Sequence, residues 1–224
     1  MHRRGVTMAA ATASAPPAFS YDDIPSQLLR INSLEGSLTG SGGVLTGVTD
    51  VSGAGETVTV TGSPVYTAAD AGLNGAPSFT PGVGATVIAT GINRASVAFV
   101  ACVVYRASTV GSLYAWDGDD AAGRHYLYLS NILSTHRGTF AAPLAQPVGR
   151  KRLIVPFDGS TPTTLNGTSI GTMSVNNATG SGLILGERYT DADGMSPAFY
   201  MACSSVPSAP LLTSLEAKLL EDFG

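Results

Sequence analysis

Between residues 21 and 205 the chain breaks into short apolar or alternating runs, separated by Gly, Asn, Asp and Pro. Runs of this length, rich in Val, Ile, Thr and Tyr, are the pattern of a sandwich or jelly roll, not of paired helices. The pattern predicts strands over Leu28 to Ile31, Val44 to Val51, Glu56 to Val60, Val83 to Ala89, Val97 to Tyr105, Leu113 to Trp116 and Tyr126 to Leu129. Further strands are predicted over Arg152 to Pro156, Thr163 to Leu165, Thr168 to Ile170, Leu183 to Leu185 and Ala198 to Ser204. The strongest hairpin signal is Asn166-Gly167, because a type I′ turn needs positive φ at both central positions.

One helix is expected at the end. Thr213 with Glu216 three residues on reads as a capping box, and Leu215, Leu219, Leu220 and Phe223 share a face that Lys218, Glu221 and Asp222 largely avoid. Such a face must lie on something apolar. The runs VAFVACVVY and AFYMACS are apolar at both alternate sets of positions, whereas a two-layer sandwich needs only one. Their outer faces are therefore expected to be covered by the terminal helix, a loop or another subunit.

Composition narrows the function. Only 12% of the residues are charged, against about 25% in an ordinary soluble domain, and 44% are hydrophobic, with 27 Gly and 13 Pro. The net charge is −4 and the twelve basic residues form no dense cluster, which argues against a nucleic-acid or anionic-membrane binder. The longest apolar run, Ala95 to Tyr105, is about half of what a membrane span needs. Residues 1 to 20, rich in Ala, Pro and Ser, read as a flexible arm, with the domain body in 21 to 224. The basic start of this arm leads into Ala, Thr and Ser, not an apolar core, so no convincing signal peptide is expected. Cys102 and Cys203 sit inside apolar strand-like runs and read as buried free thiols.

The segment TDVSGAGETVTVTGSPVYTAADAGLNGAPSF resembles the opening of laminin-G-like, concanavalin A-like jelly-roll domains of bacteriophage and bacterial proteins. VAFVACVVYRAS, LIVPFDGSTPTTLNGTSIG, GLILGERY and the ending FYMACSSVPSAPLLTSLEAKLLEDFG are similar, in the same order, to later strands, a hairpin and the closing helix of that family. The resemblance implies an all-β, concanavalin A-like jelly-roll β-sandwich with one short C-terminal α-helix. It also implies a non-catalytic bacteriophage virion structural protein on a tail fibre, baseplate or head decoration, made in the host cytoplasm. Its expected partners are other virion proteins, copies of itself as a homo-oligomer, and host-surface glycans, with no nucleic acid and no membrane. A stand-alone carbohydrate-binding lectin module, or a glycan-active enzyme, is the alternative.

No catalytic residue is assigned. Concanavalin A-like glycanases align carboxylates on one strand as E-x-D-x-E, and that triplet does not occur in the sequence. Asp117, Asp119 and Asp120 in WDGDDAAGR, and Asp191 and Asp193 in TDADG, sit in Gly-containing turns. There an Asp usually accepts backbone hydrogen bonds, and calcium is the other reading for these five carboxylates. No cofactor is otherwise expected. If Leu113 to Trp116 and Arg124 to Leu129 form a hairpin, alternation puts Leu113, Ala115, Leu127 and Leu129 on one face. Tyr114, Trp116, Tyr126 and Tyr128, with Arg124, then share the other. Two readings of these rings stand: a platform on which a sugar stacks, or filling of the sandwich interior with the leucines turned to a neighbour. Arg150, Lys151 and Arg152 read as a solvated strand edge, or as a docking point for an acidic surface.

Overall fold

A computed structural model of the protein describes residues 18–81, 85–106, 113–114, 128–129, 132–134, 141–143, 149–173, 181–186 and 195–224. The strands among them are β1 (Gln27–Asn32), β2 (Leu38–Ser41), β3 (Val44–Val48), β4 (Val58–Thr61), β5 (Val65–Asp70), β6 (Ala76–Thr80), β7 (Thr86–Asn93) and β8 (Phe99–Arg106). There follow β9 (Leu113–Tyr114), β10 (Tyr128–Leu129), β11 (Ile132–Ser134), β12 (Ala141–Pro143), β13 (Gly149–Pro156), β14 (Pro162–Leu165), β15 (Thr168–Thr172), β16 (Ser181–Gly186) and β17 (Met195–Cys203). A single α-helix, α1 (Ala209–Phe223), ends the described chain. No helix among the described residues is long and apolar enough to cross a membrane.

The pairings are antiparallel and build a six-stranded sheet in the order β1-β17-β8-β13-β14-β15 and a seven-stranded sheet in the order β12-β11-β10-β9-β16-β7-β4. A four-stranded sheet, β2-β3-β5-β6, flanks them. The β-sandwich with a closing helix is thus the architecture that the sequence pattern calls for.

The doubly apolar runs explain the layering. In β8, Val100, Cys102 and Val104 enter a core shared with Val87, Ala89, Leu183 and Leu185 of the seven-stranded sheet and with Leu45 and Phe79 of the smaller one. The alternate residues Phe99, Ala101 and Val103 enter a second core with Phe199, Met201, Leu215, Leu219, Phe223, Tyr21 and Ile24. A fully buried side chain of this size contributes roughly 1.5 to 3 kcal/mol over leaving it in water. The cover expected over the outer face is therefore α1 and the turn at Tyr21–Asp23. Cys102 and Cys203 are both buried free thiols, one in each core. Desolvation pushes both thiols up to about 12.

Several expectations are corrected. Helix α1 starts at Ala209, after Ser208, with Pro210 in its first turn, where a missing N–H costs nothing. Thr213 is therefore inside the helix, its hydroxyl donating to the Ala209 carbonyl at 3.1 Å, and no capping box forms with Glu216. Leu220 is 52% exposed, on the flank of the buried Leu215, Leu219 and Phe223 stripe. The Arg150-Lys151-Arg152 run is not a solvated edge, because β13 lies between β8 and β14. Arg150 donates to the Phe223 carbonyl at 2.7 Å and to that of Gly224, closing the end of α1, while Asn74 Nδ2 reaches the same Gly224 carbonyl at 2.9 Å. Arg152 Nε pairs with Glu216 at 3.1 Å, and Lys151 is buried.

Edge strand β1 is closed by side chains and a loop. Arg30, 4% exposed, donates to Glu35, Asp22, Gln27 and the Val51 carbonyl, and its own backbone N–H meets Asp50 at 2.9 Å. The Val51 N–H returns to the Arg30 carbonyl at 2.8 Å, so this edge offers little unpaired backbone to a stray strand.

Candidate functional site

The seven-stranded sheet carries the two described ends of the sequence-predicted hairpin, Leu113–Tyr114 and Tyr128–Leu129, as antiparallel partners. In β16, Leu183 and Leu185 are buried in the first core and sit opposite Ala89 and Val87 of β7, which are buried with them. One step along, Gly186 pairs with Thr86 on one side and with Tyr114 of β9 on the other. Tyr114 in turn faces Tyr128 of β10, and Tyr128 faces Ser134 of β11. Thr86, Gly186, Tyr114, Tyr128 and Ser134 thus occupy one row across the sheet. Directly paired antiparallel residues share a face, and neighbours along a strand alternate. This row is therefore out of phase with Leu185 and Val87. Leu113, Leu129 and Leu133 form the row that is in phase with them.

Of the aromatic candidates, the ladder brings Tyr114 and Tyr128 together as direct cross-strand neighbours. Trp116, Arg124 and Tyr126 lie outside the described residues, as do Asp117, Asp119, Asp120, Asp191 and Asp193. Among the described residues, no group of three His, Cys, Asp or Glu side chains is placed to hold a metal ion.

Asp50, Asp70 and Asp158 act as turn acceptors. Asp50 accepts from the Ser52 N–H at 2.9 Å, the Ser52 hydroxyl at 2.9 Å and the Glu56 N–H at 3.0 Å, besides Arg30. Burial opposes ionisation of Asp50, but the hydrogen bonds from Arg30, Ser52 and Glu56 outweigh it and hold the carboxyl below its ordinary range. Asp158 does the same in its loop: burial works against the charge, and Thr161 and Ser160 together lower its pKa. Asp70 holds the Gly72 N–H at 2.8 Å and the Ser78 hydroxyl at 2.8 Å.

A second concave feature was not predicted from the sequence. Between α1 and the β13–β14 face lies a groove of about 450 Å3, lined among others by Ile154, Pro162, Leu212, Ala217 and Leu220. The Arg152–Glu216 pair and Thr164, whose hydroxyl lies 3.5 Å from Glu216, supply its polar groups. The exposed Leu220 was its only sequence signal, and helical periodicity assigned that residue to the buried face.

Neither a family model nor a curated protein matches the sequence. The fold does have solved counterparts. One comes from work on how botulinum neurotoxin type C enters cells in dependence upon two ganglioside molecules. It aligns with TM-score 0.57 at 13% identity, over 88% of this chain and 52% of that one. The binding domain of botulinum neurotoxin DC in complex with SialylT gives 0.58 at 14% identity, over 89% and 52%. A Trypanosoma rangeli sialidase in complex with sialic acid gives 0.55 at 13%, over 85% and 32%. The chain spans about half the length of the two toxin structures and about a third of the sialidase. At these identities the likeness carries the fold, which is the concanavalin A-like jelly-roll sandwich.

Proposed function

We propose that the chain is a non-catalytic carbohydrate-recognition domain whose binding face is the outer face of the seven-stranded sheet at β9 and β10. The observation that carries this reading is the register: Tyr114 and Tyr128 are direct partners in a row out of phase with the buried Leu185 and Val87. We read that row as outward-facing because its register is out of phase with the buried Leu185 and Val87, and the sequence pattern expects Trp116 and Tyr126 to share its phase. Rings so arranged stack on the apolar face of a pyranose, while a donor such as Arg124 takes its hydroxyls. The sialic acid and SialylT complexes among the solved counterparts support a sugar as the ligand class.

The domain acts by surface complementarity, with no reaction and no metal. The sequence resemblance to phage virion proteins supports a place on the outside of a particle, on a fibre, baseplate or head, among copies of itself. A glycan array with the full chain tests the recognition step. Retention of a glycan class by the native protein, lost in a folded Trp116→Ala variant and kept in chelator, is the expected result. Retention unchanged in the variant removes the aromatic platform, and loss in chelator reassigns the site to the Asp loops.

A further inference from the structure

The tripeptide Leu-Asn-Gly occurs twice, at Leu73 to Gly75 and at Leu165 to Gly167, and the fold treats the two copies differently. Both asparagines are exposed and left-handed, with φ of 55° at Asn74 and 50° at Asn166. Each side-chain carbonyl accepts a hydrogen bond: Asn74 Oδ1 from Arg150 at 2.9 Å, and Asn166 Oδ1 from the Arg152 backbone N–H at 2.8 Å. The nitrogens that follow are unlike. The Gly75 N–H donates to the Asp70 carbonyl at 2.8 Å, whereas the Gly167 N–H, at the tip of the β14–β15 turn, makes no hydrogen bond among the described residues. The chain beyond differs too. Ala76, Ser78 and Phe79 of β6 are buried, while Thr168 and Ser169 are exposed in β15, the last strand of its sheet, with β14 as its only neighbour there.

We propose that Asn166 is a self-modification site, at which the Gly167 amide nitrogen attacks the Asn166 side-chain amide, and that Asn74 is its protected counterpart. Hydroxide takes the Gly167 N–H proton, the nitrogen bonds to Asn166 Cγ, and the Cγ–Nδ2 bond breaks, releasing ammonia and leaving a five-membered imide. Water then opens the imide at either carbonyl, giving aspartate or isoaspartate, and no other reactant is consumed. Ring closure needs the following nitrogen swung over Cγ. Rotation about the Asn166 Cα–C bond moves Gly167 and the exposed edge strand, and leaves the side chain on β13. The Arg152 N–H therefore stays on Oδ1 as negative charge develops there, as a donor in an oxyanion hole does. The same rotation at Asn74 must first break the Gly75 bond to Asp70 and drag the buried Ala76 with it. Breaking that bond alone slows the site by about fivefold. The product bears on α1, because Asn166 and Gly167 line the groove that holds the Arg152–Glu216 pair, and a Cβ on Gly167 would lie 3.6 Å from Glu216 Oε1. A carboxylate at position 166 competes with Glu216 for Arg152 and loses the amide's donation to the Arg150 carbonyl. None of this depends on the glycan reading, which concerns the opposite sheet.

The test ages the native full chain in warm, mildly alkaline buffer and maps the products by peptide mass spectrometry, with the same chain in urea as reference. In the native protein Asn166 is expected to convert at least about fivefold faster than Asn74, with isoaspartate among the products. In urea the two Leu-Asn-Gly copies should convert at equal rates. Equal or reversed native rates, or no conversion of Asn166 in the native chain, overturn the proposal. The same ratio in urea also overturns it, because the difference would then lie in sequence and not in the fold. Aspartate without isoaspartate at position 166 overturns the attack by Gly167, since direct hydrolysis passes through no imide.

Discussion

The two faces of the six-stranded sheet solve the same burial problem by different means. On the sandwich face, Val100, Cys102, Val104, Leu153 and Val155 meet a broad partner sheet, and one phenol, Tyr200, is buried with a hydroxyl that finds no hydrogen-bond partner among the described residues. On the helix face a single cylinder is laid across Phe99, Ile154 and Phe199 and tied at several points. Tyr21 donates to Asp222 at 2.8 Å, Arg150 and Asn74 take the last carbonyls, and Arg152 holds Glu216. Sheet against sheet is oriented by many strands at once. A lone helix can roll and slide, so its buried stripe needs directional contacts to fix it.

The largest expected effect probes the helix side. Phe199, fully buried between Tyr21 and Phe223, should cost about 4 kcal/mol when cut to alanine, read as a lower urea midpoint at unchanged slope. A loss below about 1 kcal/mol would mean that the helix face can collapse around the cavity, and that the ties matter more than the packing.

Alkaline pH titrates both faces, because each holds one thiol. Burial raises each to about 12 from an ordinary value of 9, so both are neutral in the folded state where the unfolded chain would ionise. Their contribution is complete below pH 9 and is lost as pH rises from 9 to 12, on the order of 1 kcal/mol per pH unit for each thiol. Cys102→Ala and Cys203→Ala should each remove one thiol's share of that slope. An unchanged slope in either variant would show that the corresponding core opens to solvent before the protein unfolds.

The smallest effect is the sharpest comparison, since one substitution should take opposite signs. Tyr21→Phe removes the bond to Asp222 and should destabilise by about 1 kcal/mol. Tyr200→Phe removes a buried hydroxyl without a partner and should be neutral or stabilising by up to about 1 kcal/mol. Equal destabilisation by both would mean that water satisfies Tyr200 inside the sandwich.

The sequence was readable where burial was complete. VAFVACVVY and AFYMACS announced β8 and β17 and the need for a cover, because a strand buried on both faces has no polar alternation to confuse it. Strands β2, β5, β6, β11 and β12 were missed. LTGS and VYTAAD are mostly half-buried or exposed, APSFT is buried at Ala76, Ser78 and Phe79 but broken by Pro77, and all three are paired through backbone that composition does not report. Gly40 and Gly72 belong to the same category: a Cβ at either would collide with the ring of Tyr66 or Tyr105, a fit set by tertiary packing. The helix start was misplaced because Thr213 and Glu216 have the right spacing for a cap, yet both are spent on partners specified by the fold. Arg150 and Arg152 looked like solvent charges for the same reason. At the candidate site, alternation put Tyr114 and Tyr128 on one face of a hairpin, and the ladder makes them direct partners, while the groove beside α1 depends on contacts remote in sequence.

The pairing of β1 with β17 has a consequence for how the protein is made. Asn32 finds its partner at Phe199, and Gln27 at Cys203, so the first strand waits through most of synthesis before its neighbour exists. Until then, Leu29 and Ile31 have no completed sheet, and the helix that seals the outer face is still inside the ribosome. Closure of this sheet is therefore late, and a translating ribosome stalled a few dozen codons early would hold an open sandwich with bare edges, a natural client for chaperones.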